Sequence, residues 1–329
     1  IYHINKLAFL GFAEVIRHLP FIKKVQNDLM KTIREKNIKH VIMIDYPGFN
    51  LNFAKKIKSL GVKILYYVSP QIWAWGKGRI KKIKKLVSKM FVVFSFEEKL
   101  YKDEGIDVEF VGHPLLDRIN KYDYMPKEKF FETYNLDLTK EILLILPGSR
   151  KFEVEKIFPA CIEAALRLGK KFNLEVVVAG ASNIDDDFFA KIAPLDGYKI
   201  IRERNYELMR YSKTGIIKSG TSTLESALFG LPMVIVYKTS LPTYFIGKNL
   251  VNLKNIGMAN IISGEDVVSE LIQNKVNSES IYNEIKKILS DSDLYDSIKR
   301  KLLSVKHKLG SEGAAKRTAQ SIYSLLNEV

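Results

Sequence analysis

Ile142-Leu143-Leu144-Ile145-Leu146-Pro147-Gly148-Ser149-Arg150 is the stretch on which the fold turns. Five consecutive aliphatic residues suit a strand buried on both faces, as in a parallel sheet covered by helices. The turn stops that strand, and residues 152–171 continue with the apolar spacing of a long helix. Strand, short turn and helix make half of a βαβ unit, whose ligands bind at the carboxyl ends of the strands. The turn itself has the chemistry of an anion site. Gly148 and Ser149 let backbone amides approach an oxyanion, the helix start adds partial positive charge, and Arg150 can pair bidentately with phosphate. A plain tight turn with a solvated arginine has the same residues, and Glu153 and Glu155 also suit the helix dipole alone.

Working outward, the same alternation recurs on both sides. Strands are predicted at 174–179, 198–201, 214–218 and 233–237, with helices at about 205–212, 222–230 and 240–251. From about 265 onward the pattern is helical, without a strand. Toward the N-terminus, strands are predicted at 41–45, 62–68, 90–95 and 108–111, with helices at about 50–60, 78–88 and 97–105. Residues 117–140 are polar, charged and aromatic without a strong period, and read as a linker. The expected fold class is α/β, with two Rossmann-like, doubly wound domains facing across a cleft. The expected domains are 1–138 and 139–329, the second carrying a helical C-terminal tail.

The chain has 329 residues, enough for two cores, and a net charge of +15 from 52 basic and 37 acidic residues. That balance favours an anionic partner (nucleic acid, a phospholipid surface or a phosphorylated substrate) or belongs to a solvated, lysine-rich surface. A single cysteine, Cys161, excludes an internal disulfide, suits the cytoplasm, and lies in an apolar helical pattern as a small core residue. No apolar run approaches the roughly 18 residues of a membrane span, so any membrane contact is peripheral. The chain opens at Ile1 on an amphipathic segment with Phe9, Phe12, Ile16 and Leu19 at helical spacing. It has no signal-peptide design and reads as internal to a longer protein.

Ser219-Gly220-Thr221-Ser222-Thr223-Leu224-Glu225 is a second strand-to-helix turn of the same kind. Its small hydroxyl residues and glycine make a phosphate cradle, and Glu225 could accept hydrogen bonds from a ribose diol. An ordinary Ser/Thr N-cap is the alternative. Two such turns in one domain point to a nucleotide diphosphate. Neither ends in the Gly-Lys-Ser/Thr of an ATPase phosphate loop. In the first half, Asp45 ends a strand and could take a proton from an attacking hydroxyl, or cap the next helix. Asn50 is a candidate for substrate contact or capping, and His113 for a substrate or phosphate contact or a structural role.

Both tryptophans, Trp73 and Trp75, alternate in one segment, so on an extended backbone they share a side. They suit an acyl-binding wall or the core. The helix after them carries Ile80, Ile83 and Val87 on one side, with Lys77, Lys81, Lys84 and Lys85 largely on the other. It is either a core-packed helix with a solvated basic face or a patch drawn to anionic lipid, at about 1 kcal/mol per cation. No His, Asp or Glu set has metal-site spacing, and no Gly-x-Ser-x-Gly supports acyl hydrolysis.

In order, Gly11–Val15, Ile44–Asn50, Tyr67–Trp75, Phe96-Glu97, Gly112–Leu115, Leu146–Arg150, Ser219–Glu225, Pro232–Val234, Asn260, Glu270-Leu271 and Gln273 resemble the motifs of the lipid-A-disaccharide synthases, over nearly the whole chain. The resemblance implies a GT-B fold and an inverting transfer at the inner membrane of a Gram-negative-type cell. UDP-2,3-diacylglucosamine (UDP-diacylglucosamine) would donate its sugar to the 6-hydroxyl of 2,3-diacylglucosamine 1-phosphate, giving a β-1,6 disaccharide and UDP. By position, Asp45 matches the family's proposed base or acceptor-positioning aspartate, Arg150 its required arginine, and Ser219–Glu225 its UDP-binding turn. Asn50, Trp73, Trp75 and His113 fall on the acceptor and lipid side. Neither metal nor cofactor is implied, and an oligomer is compatible. Gly48 stands where many relatives carry a second acidic residue, which leaves Asp45 alone. About 60 residues that normally precede this start are expected to be missing, so the N-terminal domain is expected to be incomplete, with exposed apolar edges on its sheet. The rival functions are another UDP-sugar enzyme of this fold, either an epimerase or a peptidoglycan-precursor transferase, and a basic nucleic-acid-binding module. For the last, no binding motif is found.

Overall fold

The computed structural model describes residues 2–3, 18–73, 78–240, 244 and 254–327. Contacts divide the chain into two units: 1–112 with 313–329, and 113–312. This differs from the division expected at 138/139. Residues 117–140 are not the expected structureless linker. They form two helices, α5 (Pro114–Asn120) and α6 (Lys127–Thr133). Phe130 packs on Tyr211, and Tyr122 on Tyr206, so aromatic burial ties this segment to the second unit. Helices of seven residues are too short to show a period in sequence.

The first unit begins with α1 (Leu19–Glu35) and continues β1 (His40–Ile44), α2 (Pro47–Lys58), β2 (Lys63–Tyr67), α3 (Arg79–Leu86), β3 (Lys89–Val92), α4 (Ser95–Asp103) and β4 (Val108–Phe110). Among the described residues its four strands are parallel and lie in chain order. Ile64, Tyr66, Met90 and Val92 pack with Leu51, Ile57, Ile83 and Tyr101 from the helices on one face. The other face holds Leu65, Phe91 and Val111 against Ile322 of the C-terminal helix α14 (Ala314–Asn327). Arg317 secures that helix by donating from Nε and Nη2 to the Val111 carbonyl, at 2.9 and 2.7 Å. The C-terminal helix therefore returns to the first sheet and is not a tail of the second unit.

β1 pairs only with β2 among the described residues. Its Ile42 and Ile44 are 49% and 60% exposed, and with Tyr67, Ala319 and Tyr323 they line an apolar groove. The basic helix α3 turns Ile80, Ile83 and Leu86 into the core and leaves Lys81, Lys84 and Lys85 in solvent.

The second unit continues with β5 (Glu141–Leu146), α7 (Lys151–Phe172), β6 (Leu174–Gly180), α8 (Asp186–Ile192), β7 (Tyr198–Arg202), α9 (Asn205–Tyr211), β8 (Ser212–Lys218), α10 (Thr221–Leu228) and β9 (Met233–Tyr237). It ends with α11 (Met258–Ser263), β10 (Glu270–Ile272), α12 (Ser278–Ser290) and α13 (Ser292–Lys308). The strand β10 corrects the expectation of an all-helical end. Only three residues long, it depends on parallel pairing with β9. The helix expected at 240–251 and the opening amphipathic segment lie largely outside the described residues.

Among the described residues its six strands are parallel, in the order β10-β9-β8-β5-β6-β7. Four successive residues of β5, Ile142 to Ile145, are fully buried, which requires cover on both faces. Cys161 is buried in α7, as its apolar setting predicts, and burial pushes its thiol pKa up. From β5 the chain winds outward through β6 and β7, then returns to the other side of β5 as β8. The switch point of this sheet is therefore the junction of β5 and β8. Phe91 is fully buried at the centre of the first sheet, so Phe91→Ala is expected to cost about 3–5 kcal/mol in urea denaturation followed by circular dichroism.

Candidate functional site

Both turns singled out by sequence leave the carboxyl ends of the two strands that flank the switch point. The first runs from β5 through Pro147, Gly148 and Ser149 to Arg150, which sits at the N-cap position of α7. The second runs from β8 through Ser219 to Gly220, the N-cap of α10. Neither cap position uses a side chain, so the Ser/Thr cap considered above is not formed. Instead Thr223 Oγ1 donates to the Gly220 carbonyl at 2.8 Å, and Ser222 Oγ to the Lys218 carbonyl at 3.2 Å. A helix start without a side-chain acceptor leaves amides for an incoming anion.

A residue that the sequence reading gave only to the helix dipole joins the two turns. Glu153 is buried, and its Oε1 lies 3.1 Å from Arg150 Nη1 and 2.9 Å from Lys218 Nζ. Two cations from adjacent strands thus share one carboxylate. Lys218 was not picked out by sequence, because nothing local marks a strand-end lysine as a partner of a helix 65 residues away. Gly148 has φ +111°, and a Cβ there would come within 2.8 Å of Glu153 Oε2. Asn183 supports the same turn by donating to the Ser149 carbonyl at 3.2 Å.

The second turn has a backing layer. Ser219 Oγ donates to the Ile256 carbonyl at 2.9 Å, and the Met258 amide donates to Thr223 Oγ1 at 3.0 Å. Glu270 accepts from the Ile256 and Gly257 amides and from Asn260 Nδ2, at 2.8 to 3.0 Å. Gln273 bonds both backbone groups of Thr239. Of the late sequence block, Glu270 with Asn260 therefore backs the turn through Ile256 and Gly257, while Gln273 holds Thr239 beyond β9. A Cβ at Gly257 would come within 2.3 Å of Ile235 Cδ1, so the Ile235 side chain would have to shift to admit one.

Glu225 Oε1 accepts the Tyr206 hydroxyl at 3.2 Å. Burial raises its pKa, opposed by the Tyr206 hydrogen bond and the nearby Arg118 charge. Thr221 is exposed at the mouth of the turn.

In the first unit, Asp45 and Tyr46 follow β1 with φ of 44° and 45°. Left-handed backbone at two successive non-glycine residues stores strain and is tolerated where the surroundings over-determine it. Here the Tyr66 hydroxyl and Asn50 Nδ2 both donate to the Asp45 carbonyl at 2.6 Å, and Asn50 also reaches the Ile44 carbonyl at 3.1 Å. Asn50 thus holds the turn. Asp45 does not cap α2 through its side chain, and its exposed carboxylate has no partner among the described residues.

His113 is the N-cap of α5 in the second unit, where Nδ1 accepts from the Leu115 amide at 3.1 Å. Burial lowers its pKa to about 4, so the ring is neutral near pH 7. Trp73 is half-buried, edge-on to Phe94 and Phe96. Trp75 and Lys77 lie outside the described residues. Among the described residues, no three His, Cys, Asp or Glu side chains converge as a metal-ligand group.

Two parallel Rossmann-like units, one with ligand-type turns at its switch point, define a fold of the GT-B type. Solved structures share it. They include an S. aureus MnaA–UDP complex, with TM-score 0.66 and 16% identity over 94% of this chain and 82% of that one. Another is the UDP-GlcNAc 2-epimerase of Neisseria meningitidis bound to UDP-GlcNAc, with TM-score 0.64 and 13% identity over 92% and 81%. A glycosyltransferase from Rickettsia africae ESF-5 has TM-score 0.58 and 16% identity over 94% and 82%.

Sequence comparison is more specific. The family model described as lipid-A-disaccharide synthetase matches residues 1–324. The lipid-A-disaccharide synthase of Trichlorobacter lovleyi is 39% identical over 328 residues, 98% of this chain and 84% of that protein. That of Geobacter metallireducens is 38% identical over 327 residues, 98% and 85%. The chain belongs to the lipid-A-disaccharide synthase family, and is a glycosyltransferase of lipid A biosynthesis.

Because Gly148 combines positive φ with a close approach to Glu153, Gly148→Ala is expected to destabilise the protein by about 1–3 kcal/mol. The check is the midpoint of chemical denaturation relative to the unmodified chain.

Proposed function

We propose that this chain transfers the sugar of UDP-2,3-diacylglucosamine to the 6-hydroxyl of 2,3-diacylglucosamine 1-phosphate, with inversion. The products are lipid A disaccharide 1-phosphate and UDP. The observation that carries the reading is the Arg150–Glu153–Lys218 arrangement at the switch point, together with two uncapped helix starts. With one shared carboxylate, the pair retains a net positive charge for a diphosphate. Amides of Gly148, Ser149 and Arg150, and of Gly220, Thr221 and Ser222, face the phosphate oxygens. Ser219 shapes that turn through Ile256, and Glu225 accepts from the ribose diol.

In the transfer, the acceptor oxygen attacks the anomeric carbon as the bond to UDP breaks. The electron pair leaves on the β-phosphate oxygen, where Arg150 stabilises the developing charge. Asp45 takes the hydroxyl proton as general base. Trp73 and Trp75 belong to the acyl-binding side. Asn50 and His113 act there through the backbone turns they hold. Cations and helix starts neutralise the diphosphate without a metal.

The enzyme works on the cytoplasmic side of the inner membrane, bound peripherally. No helix among the described residues is long and apolar enough to cross a bilayer. The lipophilic substrates and the exposed lysines of α3 support surface attachment. Since the apolar stripe of α3 is committed to the core, that attachment is electrostatic. Nucleic acid has no part in it, and self-association is compatible with this function.

An epimerase reading is favoured by the fold neighbours alone, and one assay separates the two. With acylated UDP-glucosamine and acylated 1-phosphate acceptor, release of UDP with disaccharide formation is expected. Turnover confined to UDP-N-acetylglucosamine would exclude the lipid substrate. Asp45→Asn is expected to lower kcat by about 10²–10⁴-fold, the usual scale of general base catalysis. Arg150→Ala is expected to lower it by at least about 10²-fold. Unchanged circular dichroism distinguishes both losses from unfolding, and a near-normal rate removes that residue from the mechanism.

Cosedimentation with phosphatidylglycerol vesicles is expected at about 0.1 M salt and is expected to fall away near 1 M, where the Debye length is about 3 Å. Replacing Lys81, Lys84 and Lys85 by glutamine should weaken it at low salt. Binding indifferent to salt and to these residues would remove α3 from the attachment.

A further inference from the structure

Glu97, in the first turn of α4, is 1% exposed, yet no lysine, arginine or histidine pairs with it among the described residues. Its Oε1 accepts from Ser69 Oγ at 2.7 Å and from the Trp73 indole Nε1 at 2.9 Å. Its Oε2 accepts from the Phe94 amide at 3.3 Å. A buried carboxylate is thus held by neutral donors, two of them from the segment after β2.

Among the described residues, the neighbouring titratable groups are tyrosines. The Tyr101 hydroxyl, on the same helix, donates to the Pro70 carbonyl at 3.1 Å. Tyr66, on β2, donates to the Asp45 carbonyl. Both are pushed up by burial, and stay neutral through the physiological range. Trp73 is boxed by Phe94 and Phe96, whose own rings stack at 5.6 Å. Glu97 is therefore the hub through which residues 69–73 are attached to α4.

We propose that Glu97 is a positioning residue for the acceptor-side tryptophan: its ionised carboxylate clamps the Trp73 indole, and uptake of a proton loosens that clamp. The inference rests on the acceptor-side reading of Trp73. The chemistry follows from the donor set. An indole N–H and a backbone N–H can only donate, so an acceptor-only carboxylate satisfies both. A proton on either oxygen replaces charge-assisted bonds by neutral ones, roughly half as strong, and on Oε1 it competes directly with the Ser69 and Trp73 donors. Burial raises the Glu97 pKa to about 7, opposed by its Ser69, Trp73 and backbone hydrogen bonds. Because this lies above the carboxylate's ordinary value of 4.5, the folded protein binds an extra proton between the two values. Ionisation of Glu97 then costs stability as pH rises toward 7, the reverse of an ordinary salt-bridged carboxylate.

Trp73 and Trp75 are the only tryptophans, so indole emission reports on this segment without labelling. Emission of the full chain is expected to show a one-proton step centred near pH 7, absent from Glu97→Gln. Ser69→Ala, which removes a donor to the charged form, is expected to move the midpoint upward. In turnover assays Glu97→Gln is expected to raise KM for the acylated acceptor about 3–10-fold, the scale of one weakened charge-assisted hydrogen bond, leaving kcat and the donor KM unchanged.

A flat emission profile in the unmodified chain, the same step in Glu97→Gln, or an unmoved midpoint in Ser69→Ala would each overturn the clamp. An unchanged acceptor KM overturns the positioning role. The emission measurement needs no turnover, so its failure is distinct from failure of the glycosyltransferase reading.

Discussion

Glu153 is a buried carboxylate whose two cationic partners come from different strands, Arg150 after β5 and Lys218 at the end of β8. Removing either partner leaves a charge poorly compensated in a low-dielectric setting, so the three groups constrain one another. The register of β5 against β8 brings these strand ends together, and the shared carboxylate fixes where the cations point. In general, cations already held in place cost an incoming anion less ordering than flexible side chains do. Gly148 belongs to the same constraint, since the space its missing Cβ leaves is filled by Glu153.

The second turn depends on a layer behind it. Ser219 and Thr223 hold the backbone at Ile256 and Met258, and Glu270 holds it from the opposite side. Glu270 itself begins β10, so the last strand of the sheet supports the site as well as extending the sheet. Residues that hold this turn in place are thus spread well beyond the turn itself.

The first unit poses a different problem. Asp45 stands in strained backbone, with its carbonyl held by Tyr66 and Asn50 and its carboxylate left exposed. Such a division, with the main chain pinned and the side chain available, suits a catalytic group. The same unit is completed by a helix from the far end of the chain: α14 covers the face containing Leu65 and Phe91. Its strand β1 keeps Ile42 and Ile44 exposed, an apolar feature that lies close in sequence to Asp45.

Strand, turn and helix positions were legible because their signals are local. Apolar runs such as Ile142–Leu146, glycine and proline punctuation, and the spacing in α7 state their own structure. The family's motifs were equally readable, because they are short strings held in order. β10 and the helices around Tyr122 and Phe131 were not, being short segments stabilised by partners elsewhere. Asn50 and His113 were recognised as candidates, but whether each faced a ligand or its own backbone depended on hydrogen bonds that residue type leaves open. By itself the sequence determined an α/β chain of the lipid-A-disaccharide synthase family, with strand-to-helix turns after β5 and β8 at known positions. Only the tertiary structure decided that Lys218 joins Arg150 on Glu153, that Trp73 hangs from Glu97, and that the last helix completes the first sheet. Each is a meeting of residues distant along the chain, set by strand order and by the need to pair or hydrogen-bond buried charge, which no local pattern encodes.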